Sequence, residues 1–161
     1  MYSAWIIKLV QTLPGAVLLS LLICNTDALK TYDFILDELS SDPDFVKIRF
    51  FGRAFATYMN KCPLDTLDKI ADILSKNVVF LLHDNYGNYL LQIFYNRNHK
   101  AGISMCEYAL KKVAKRAYLR KYCRYVLLKA VVNDQDSWFC QDMVTAVSHD
   151  RHTVESILSK K

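Results

Sequence analysis

The sequence predicts an all-α chain, a right-handed α-solenoid of roughly four three-helix repeats with a C-terminal capping helix. Three observations carry that expectation. Ten-residue segments at 13–22, 50–59, 85–94 and 121–130 resemble one another: LPGAVLLSLL, FFGRAFATYM, NYGNYLLQIF and KYCRYVLLKA. Their small residues Gly15, Gly52, Gly87 and Cys123 lie 52 − 15 = 37, 87 − 52 = 35 and 123 − 87 = 36 positions apart, a period typical of helical solenoids. Glycine and proline number only four and three, which suits short-looped helical proteins and argues against a turn-rich β-sandwich.

The elements follow in order. The first unit, about 2–40, opens on the short amphipathic stretch SAWIIKLVQ, passes through the first ten-residue segment and ends in TDALKTYDFILDEL (26–39), where Thr26 or Asp27 supplies a capping oxygen. LPGAVLLSLLIC (13–24) imitates a signal peptide behind Lys8. At twelve residues it is too short to span a bilayer, it carries Pro14-Gly15 where a helix starts, and no small-residue cleavage site follows. It is expected as a buried helix.

The second unit, 41–75, runs through DFVKIRF and the second segment into PLDTLDKIADIL (63–74). There Pro63 presets φ and Asp65 offers a cap, while Leu64, Leu67, Ile70, Ala71 and Leu74 fall on one helix face. The third unit, 76–111, has NVVFLLHD, the third segment and a helix in GISMCEYALKKV (102–113). The fourth, 112–148, has AKRAYLR, the fourth segment and DSWFCQDMVTAV (136–147). HDRHTVESIL (149–158) takes the first-helix slot of a fifth unit, so 149–161 is expected to cap the stack. The whole, 1–161, reads as one domain.

Charge is unevenly spread. Residues 1–80 carry eight basic and nine acidic side chains, a net −1; residues 81–161 carry thirteen and seven, a net +6. Lys111, Lys112, Lys115, Arg116, Arg120, Lys121, Arg124 and Lys129 occupy a stretch without an acid, which points to an anionic partner or to a solvated helical face. Five cysteines without a CxxC pair (Cys24, Cys62, Cys106, Cys123, Cys140) read as reduced, mostly buried thiols of a cytosolic or nuclear protein.

Catalytic signatures are poor. His149 and His152, with Cys140 near, read as surface histidines rather than zinc ligands. NDQDS (133–137) lacks the later glycine and glutamate of a calcium loop and reads as a helix-capping segment. No phosphate-binding glycine loop or nucleophile turn is present, so neither an enzyme nor a cofactor is expected.

DNYGNYLLQ (84–92) holds the most informative chemistry. Asn88, Tyr89 and Gln92 stand at i, i+1 and i+4 of one helix, an amide pair suited to a base edge beside a ring suited to stacking. The run resembles the RNA-facing helix of Pumilio (PUF) repeats, a small residue followed by NYxxQ. The unit length resembles that family too, and AYLRKYCRYVLLKAV (117–131) is similar to its short closing unit.

The resemblance implies that Asn88 and Gln92 read uracil while Tyr89 stacks, with the base between Tyr89 and Tyr125, since 125 − 89 = 36. By the same correspondence Arg124 and Tyr125 act in the fourth unit, Arg53 and Thr57 are candidates in the second, and Ala16, Val17 and Ser20 have nothing to recognise with. Lys121, Arg120 and Lys129 are the candidate phosphate contacts. The resemblance further implies single-stranded messenger RNA, by its 3′ untranslated region, as partner. Regulatory proteins would sit on the convex face and the chain would act in post-transcriptional control in the cytoplasm, with the nucleus or nucleolus as alternatives. An SNxxE guanine reader is absent at 53–57, which fits the C-terminal repeats of a divergent PUF protein or an atypical short member. The competing expectation is a protein-interaction scaffold that kept the fold and lost base recognition.

Overall fold

The computed structural model describes residues 3–25, 36–37, 40–117, 121–133, 141–142 and 145. Its bounded elements are α1 (Ser3–Val10), α2 (Leu13–Asn25), a 3₁₀ helix (Pro43–Lys47), α3 (Phe51–Lys61), α4 (Leu64–Ser75), α5 (Val78–His83), α6 (Gly87–Asn96), α7 (Lys100–Ala117) and α8 (Cys123–Asn133). The described residues contain no strand. The all-α expectation holds, and no described helix is long and apolar enough to cross a membrane.

Each of the four similar segments forms a helix: α2, α3, α6 and α8. These helices touch in series, α2 on α3, α3 on α6 and α6 on α8. The short helices pack on their own successors, α1 on α2 and α5 on α6, while α4 packs against α7. Burial follows the amphipathic pattern. Phe51, Phe55, Tyr58 and Met59 of α3 and Leu90, Leu91 and Phe94 of α6 form the middle of the core, with Phe45 edge-on to Phe51 at 4.8 Å. On α4, Leu67, Ile70, Ala71 and Leu74 are buried as their spacing predicts, but Leu64 is exposed at the first helical position. Pro63 starts that helix with φ −58°. Asp65 makes no capping bond and places its charge in the first turn, where the helix dipole favours it.

One boundary differs from the sequence expectation. AKRAYLR was assigned to a separate first helix of the fourth unit, yet α7 runs unbroken to Ala117. From Ile103 to Ala117 the chain holds no glycine or proline and is rich in Ala and Lys, so nothing stops the helix. Most of the 26–39 and 136–147 helices, the 149–161 cap, Arg120, Cys140, His149, His152 and all of NDQDS but Asn133 lie outside the described residues, as do the side chains of Lys115 and Arg116.

Two recurring devices hold neighbouring helices together. The first is a cation reaching back to the end of the preceding helix. Lys61 Nζ donates to Cys24 O at 3.1 Å, and Arg97 Nη1 donates to Met59 O at 2.8 Å and Cys62 O at 2.6 Å. The two cations stand 97 − 61 = 36 residues apart. Both meet the C-terminal carbonyls of a helix, which lack intrahelical partners and carry the negative end of the dipole.

The second device is the small residue at each helix start. A Cβ at Gly15 would fall on the Leu9 carbonyl, and one at Gly52 would sit 2.9 Å from the Tyr86 carbonyl carbon and oxygen. In the fourth unit Cys123 takes this place: its thiol donates to Leu82 O at 3.2 Å and lies 2.7 Å from His83 Nδ1. Gly52→Ala is therefore expected to cost about 1–3 kcal/mol of stability, read by urea unfolding, because backbone rather than a pliable side chain must move.

The thiol expectation divides by position. Cys24 is exposed, whereas Cys62, Cys106 and Cys123 are buried, and none of the four is in a disulfide. Burial pushes the Cys106 thiol far above its ordinary range. It also raises Cys62, with the Arg97 guanidinium opposing the shift. Native protein at pH 8 should thus alkylate at Cys24 and spare Cys62, Cys106 and Cys123 until denaturant is added, as peptide mass spectrometry would show.

Candidate nucleic-acid interface

The start of α6 explains the composition of DNYGNYLLQ. Asp84 Oδ2 accepts from the backbone N–H groups of Tyr86 (2.9 Å) and Gly87 (2.6 Å), satisfying donors that the helix start leaves open. Asn88 Nδ2 donates to the carbonyls of Asp84 and Asn85, both at 2.8 Å. Asn88 Oδ1 accepts from Gln92 Nε2 at 2.8 Å. The Asn88 side chain is fully buried. The sequence reading expects Asn88 at a base edge; in the structure its amide is engaged with the turn beneath it and with Gln92.

Tyr89 is 54% exposed, and Gln92 lies half-buried beside it. Together with Tyr86, Ile93 and Asn96 they form one wall of a groove of about 410 Å³, whose other wall is Arg53, Ala56 and Asn60 of α3. No carboxylate lines it. Arg53 is thus brought to Tyr89 and Gln92, as the sequence reading proposed, while Thr57, Arg124 and Tyr125 do not line this groove.

The register of the open face also differs from the one read from the glycines. Arg53, Ala56 and Asn60 face the groove from α3, and Tyr89, Gln92 and Asn96 from α6. Those sets are separated by 89 − 53 = 36, 92 − 56 = 36 and 96 − 60 = 36. Arg53 accordingly occupies the place of Tyr89, not that of Asn88. Aligning Gly52 with Gly87 introduces a one-residue slip. The buried Ala54 exposes that slip, since its assigned counterparts Tyr89 and Tyr125 are both exposed.

Tyr86, Asn60 and Asn96 were missed altogether. Counting thirty-six residues from Tyr89 and Asn96 would have found Arg53 and Asn60. Tyr86 carried the same signal, in register with Phe50 and Tyr122 (86 − 50 = 36, 122 − 86 = 36); its ring packs on Phe50 with centroids 5.7 Å apart.

On α8, Tyr125 is 37% exposed, with the Arg124 guanidinium 6.0 Å from its ring centre. No ring contact joins Tyr125 to Tyr89 among the described residues. Lys129 Nζ donates to Asn96 Oδ1 at 2.9 Å, tying α8 to the groove-lining helix. The Lys121 ammonium stands 5.5 Å from the Tyr122 ring centre. Lys111 is drawn to Asp142 at 3.5 Å, so the basic stretch is partly engaged within the chain.

A second groove, of about 650 Å³, lies between the 3₁₀ helix, the α4–α5 junction and α7. It is floored by Val78, Phe80, Met105 and Ala109 and edged by Lys47, Lys76 and Lys112. A search of family models finds none that matches the chain, and no curated protein matches it. The chemistry of the α3–α6 groove therefore carries the functional reading.

Proposed function

We propose that this chain binds single-stranded RNA along α2, α3, α6 and α8, acting as the inner helices of a PUF-like arc, and serves post-transcriptional control of messenger RNA. The carboxylate-free groove between α3 and α6 carries this reading. A flat base stacks on exposed Tyr89, Gln92 meets its edge in a position held by Asn88, and Arg53 supplies charge from the opposite wall. Tyr125 continues the same thirty-six-residue register into the next unit, and Lys129 reaches Asn96 from there. Uracil is the proposed preference, resting on Gln92 rather than on an amide pair.

Fluorescence anisotropy with short uridine-rich and uridine-free oligomers tests this. Preferential binding of the first supports the reading, and equal or absent binding of both defeats it. The net +6 of the second half also requires log affinity to fall linearly with log salt. A flat response between about 50 and 200 mM salt would remove phosphate contact from the proposal.

The second groove favours one other reading, a protein-interaction scaffold. Its floor is aliphatic and aromatic, and three lysines edge it, which suits an acidic segment with apolar anchors. Loss of binding to such a segment on Lys76→Glu, with no response to RNA, would decide for the scaffold.

A further inference from the structure

The α3–α6 groove continues past Tyr89 and Gln92. Asn60 and Asn96 stand seven residues beyond Arg53 and Tyr89 (60 − 53 = 7, 96 − 89 = 7), about 10 Å further along their helix axes. Both are exposed, and they line the groove from opposite walls. Their amides are committed in opposite senses. Asn60 Nδ2 donates to Ala56 O at 2.9 Å, and its Oδ1 has no partner among the described residues, so it offers an acceptor. Asn96 Oδ1 accepts from Lys129 Nζ at 2.9 Å, so Asn96 offers the donor Nδ2. Lys129 thereby decides which end of that amide is left over, because its ammonium holds the oxygen by a charge-assisted bond.

An acceptor on one wall and a donor on the other narrow the choice of ligand. A phosphate oxygen only accepts, and the Asn60 oxygen would repel it. A base sets its donors and acceptors in a row along one planar edge, which suits a single amide such as Gln92. A hydroxyl is one oxygen that gives a proton and takes one, so it satisfies both walls together. The stretch from Tyr89 to Asn96 is about the length of a nucleoside. A base stacked on Tyr89 with its edge at Gln92 therefore brings its sugar to the two asparagines.

We propose that Asn60 Oδ1 and Asn96 Nδ2 hold the ribose 2′-hydroxyl of the nucleotide in this groove, the first accepting its proton and the second donating to its oxygen. The pair then distinguishes RNA from single-stranded DNA. The inference rests on the RNA reading above and adds a sugar contact to its base contacts. Lys129 is a positioning residue in this site: it fixes the polarity of Asn96.

Anisotropy at fixed salt compares a uridine-rich RNA with the same sequence in deoxyuridine. The wild type should bind the RNA about five- to fifty-fold more tightly, the effect of two hydrogen bonds at a partly solvated site. Asn60→Ala/Asn96→Ala should bind both oligomers alike, at the wild type's affinity for deoxyuridine, with an unchanged far-ultraviolet circular dichroism spectrum. Should the double variant fail to fold, Asn60→Ala and Asn96→Ala singly should each lose part of the ratio. Lys129→Met should also narrow the gap between the two sugars. A lysine that merely touched phosphate would weaken both oligomers by one factor and leave their ratio unchanged, which would overturn its positioning role. A wild type that binds both sugars equally, while still preferring uridine-rich to uridine-free RNA, overturns the inference and leaves the base reading in place. A sugar preference that survives in the folded double variant overturns it as well. Binding to no oligomer of either sugar defeats the base reading, and the inference falls with it.

Discussion

Replacing Tyr89 and Gln92 together by alanine is expected to weaken binding of a uridine-rich oligomer by about five- to a hundred-fold. The larger share comes from the ring. Stacking of one base on an aromatic side chain is worth about 1–3 kcal/mol, and Tyr89 has more than half its surface available for it. Gln92 adds a smaller part through its edge contact, which Asn88 makes directional by holding Nε2. Tyr108 is the control. It is also well exposed, but lies on α7 at the second groove, so Tyr108→Ala should leave affinity unchanged. Equal losses in the two variants, measured by anisotropy at fixed salt, would mean that RNA meets exposed aromatic rings without regard to the groove. Asn88→Ala gives a further distinction: it should lower stability through the lost Asp84 and Asn85 contacts and lower affinity only in part.

The second large effect concerns stability. Arg97→Ala should cost about 2–4 kcal/mol in urea unfolding, since two short charge-assisted hydrogen bonds are lost and two helix-end carbonyls lose their donor. Arg97→Lys should recover part of that loss, because both carbonyls accept from the single Nη1 atom and an ammonium also carries more than one N–H donor, though on a shorter side chain. The equivalent change at Lys61, whose bond to Cys24 O is exposed to water, should cost less than about 1 kcal/mol. A Lys61→Ala loss as large as that of Arg97→Ala would show that the reaching cation, not its burial, sets the energy.

How far these features could be read from the sequence depends on the periodicity each obeys. The helices were legible because apolar spacing and the thirty-six-residue repeat report the same packing. Leu67, Ile70, Ala71 and Leu74 went inside as their spacing required. The α7 boundary was not legible from the repeat, which put a break where local helix propensity continues through Ala114–Ala117. Tyr89 and Gln92 were legible because they sit one helical turn apart on the open face. Asn88 and Tyr89 were read together, but positions i and i+1 do not share a helix face. A hundred degrees of rotation separates Asn88 from Tyr89, enough to turn the short amide down onto the carbonyls of the preceding turn. Arg53 was found for a partly wrong reason, its glycine-based partner Ala54 being buried. Asp84 acts as a cap through its neighbours' backbone, which leaves only a weak trace in residue spacing.

Because α3 packs on both α2 and α6, and α6 on both α3 and α8, local openings need not involve the whole chain. Amide deuterium uptake should be slowest in α3 and α6, each braced on two sides, and faster in α2. A ligand seated between α3 and α6 would then clamp the most durable segment of the molecule. Its effect on exchange should decay with distance along the row, instead of appearing everywhere at once.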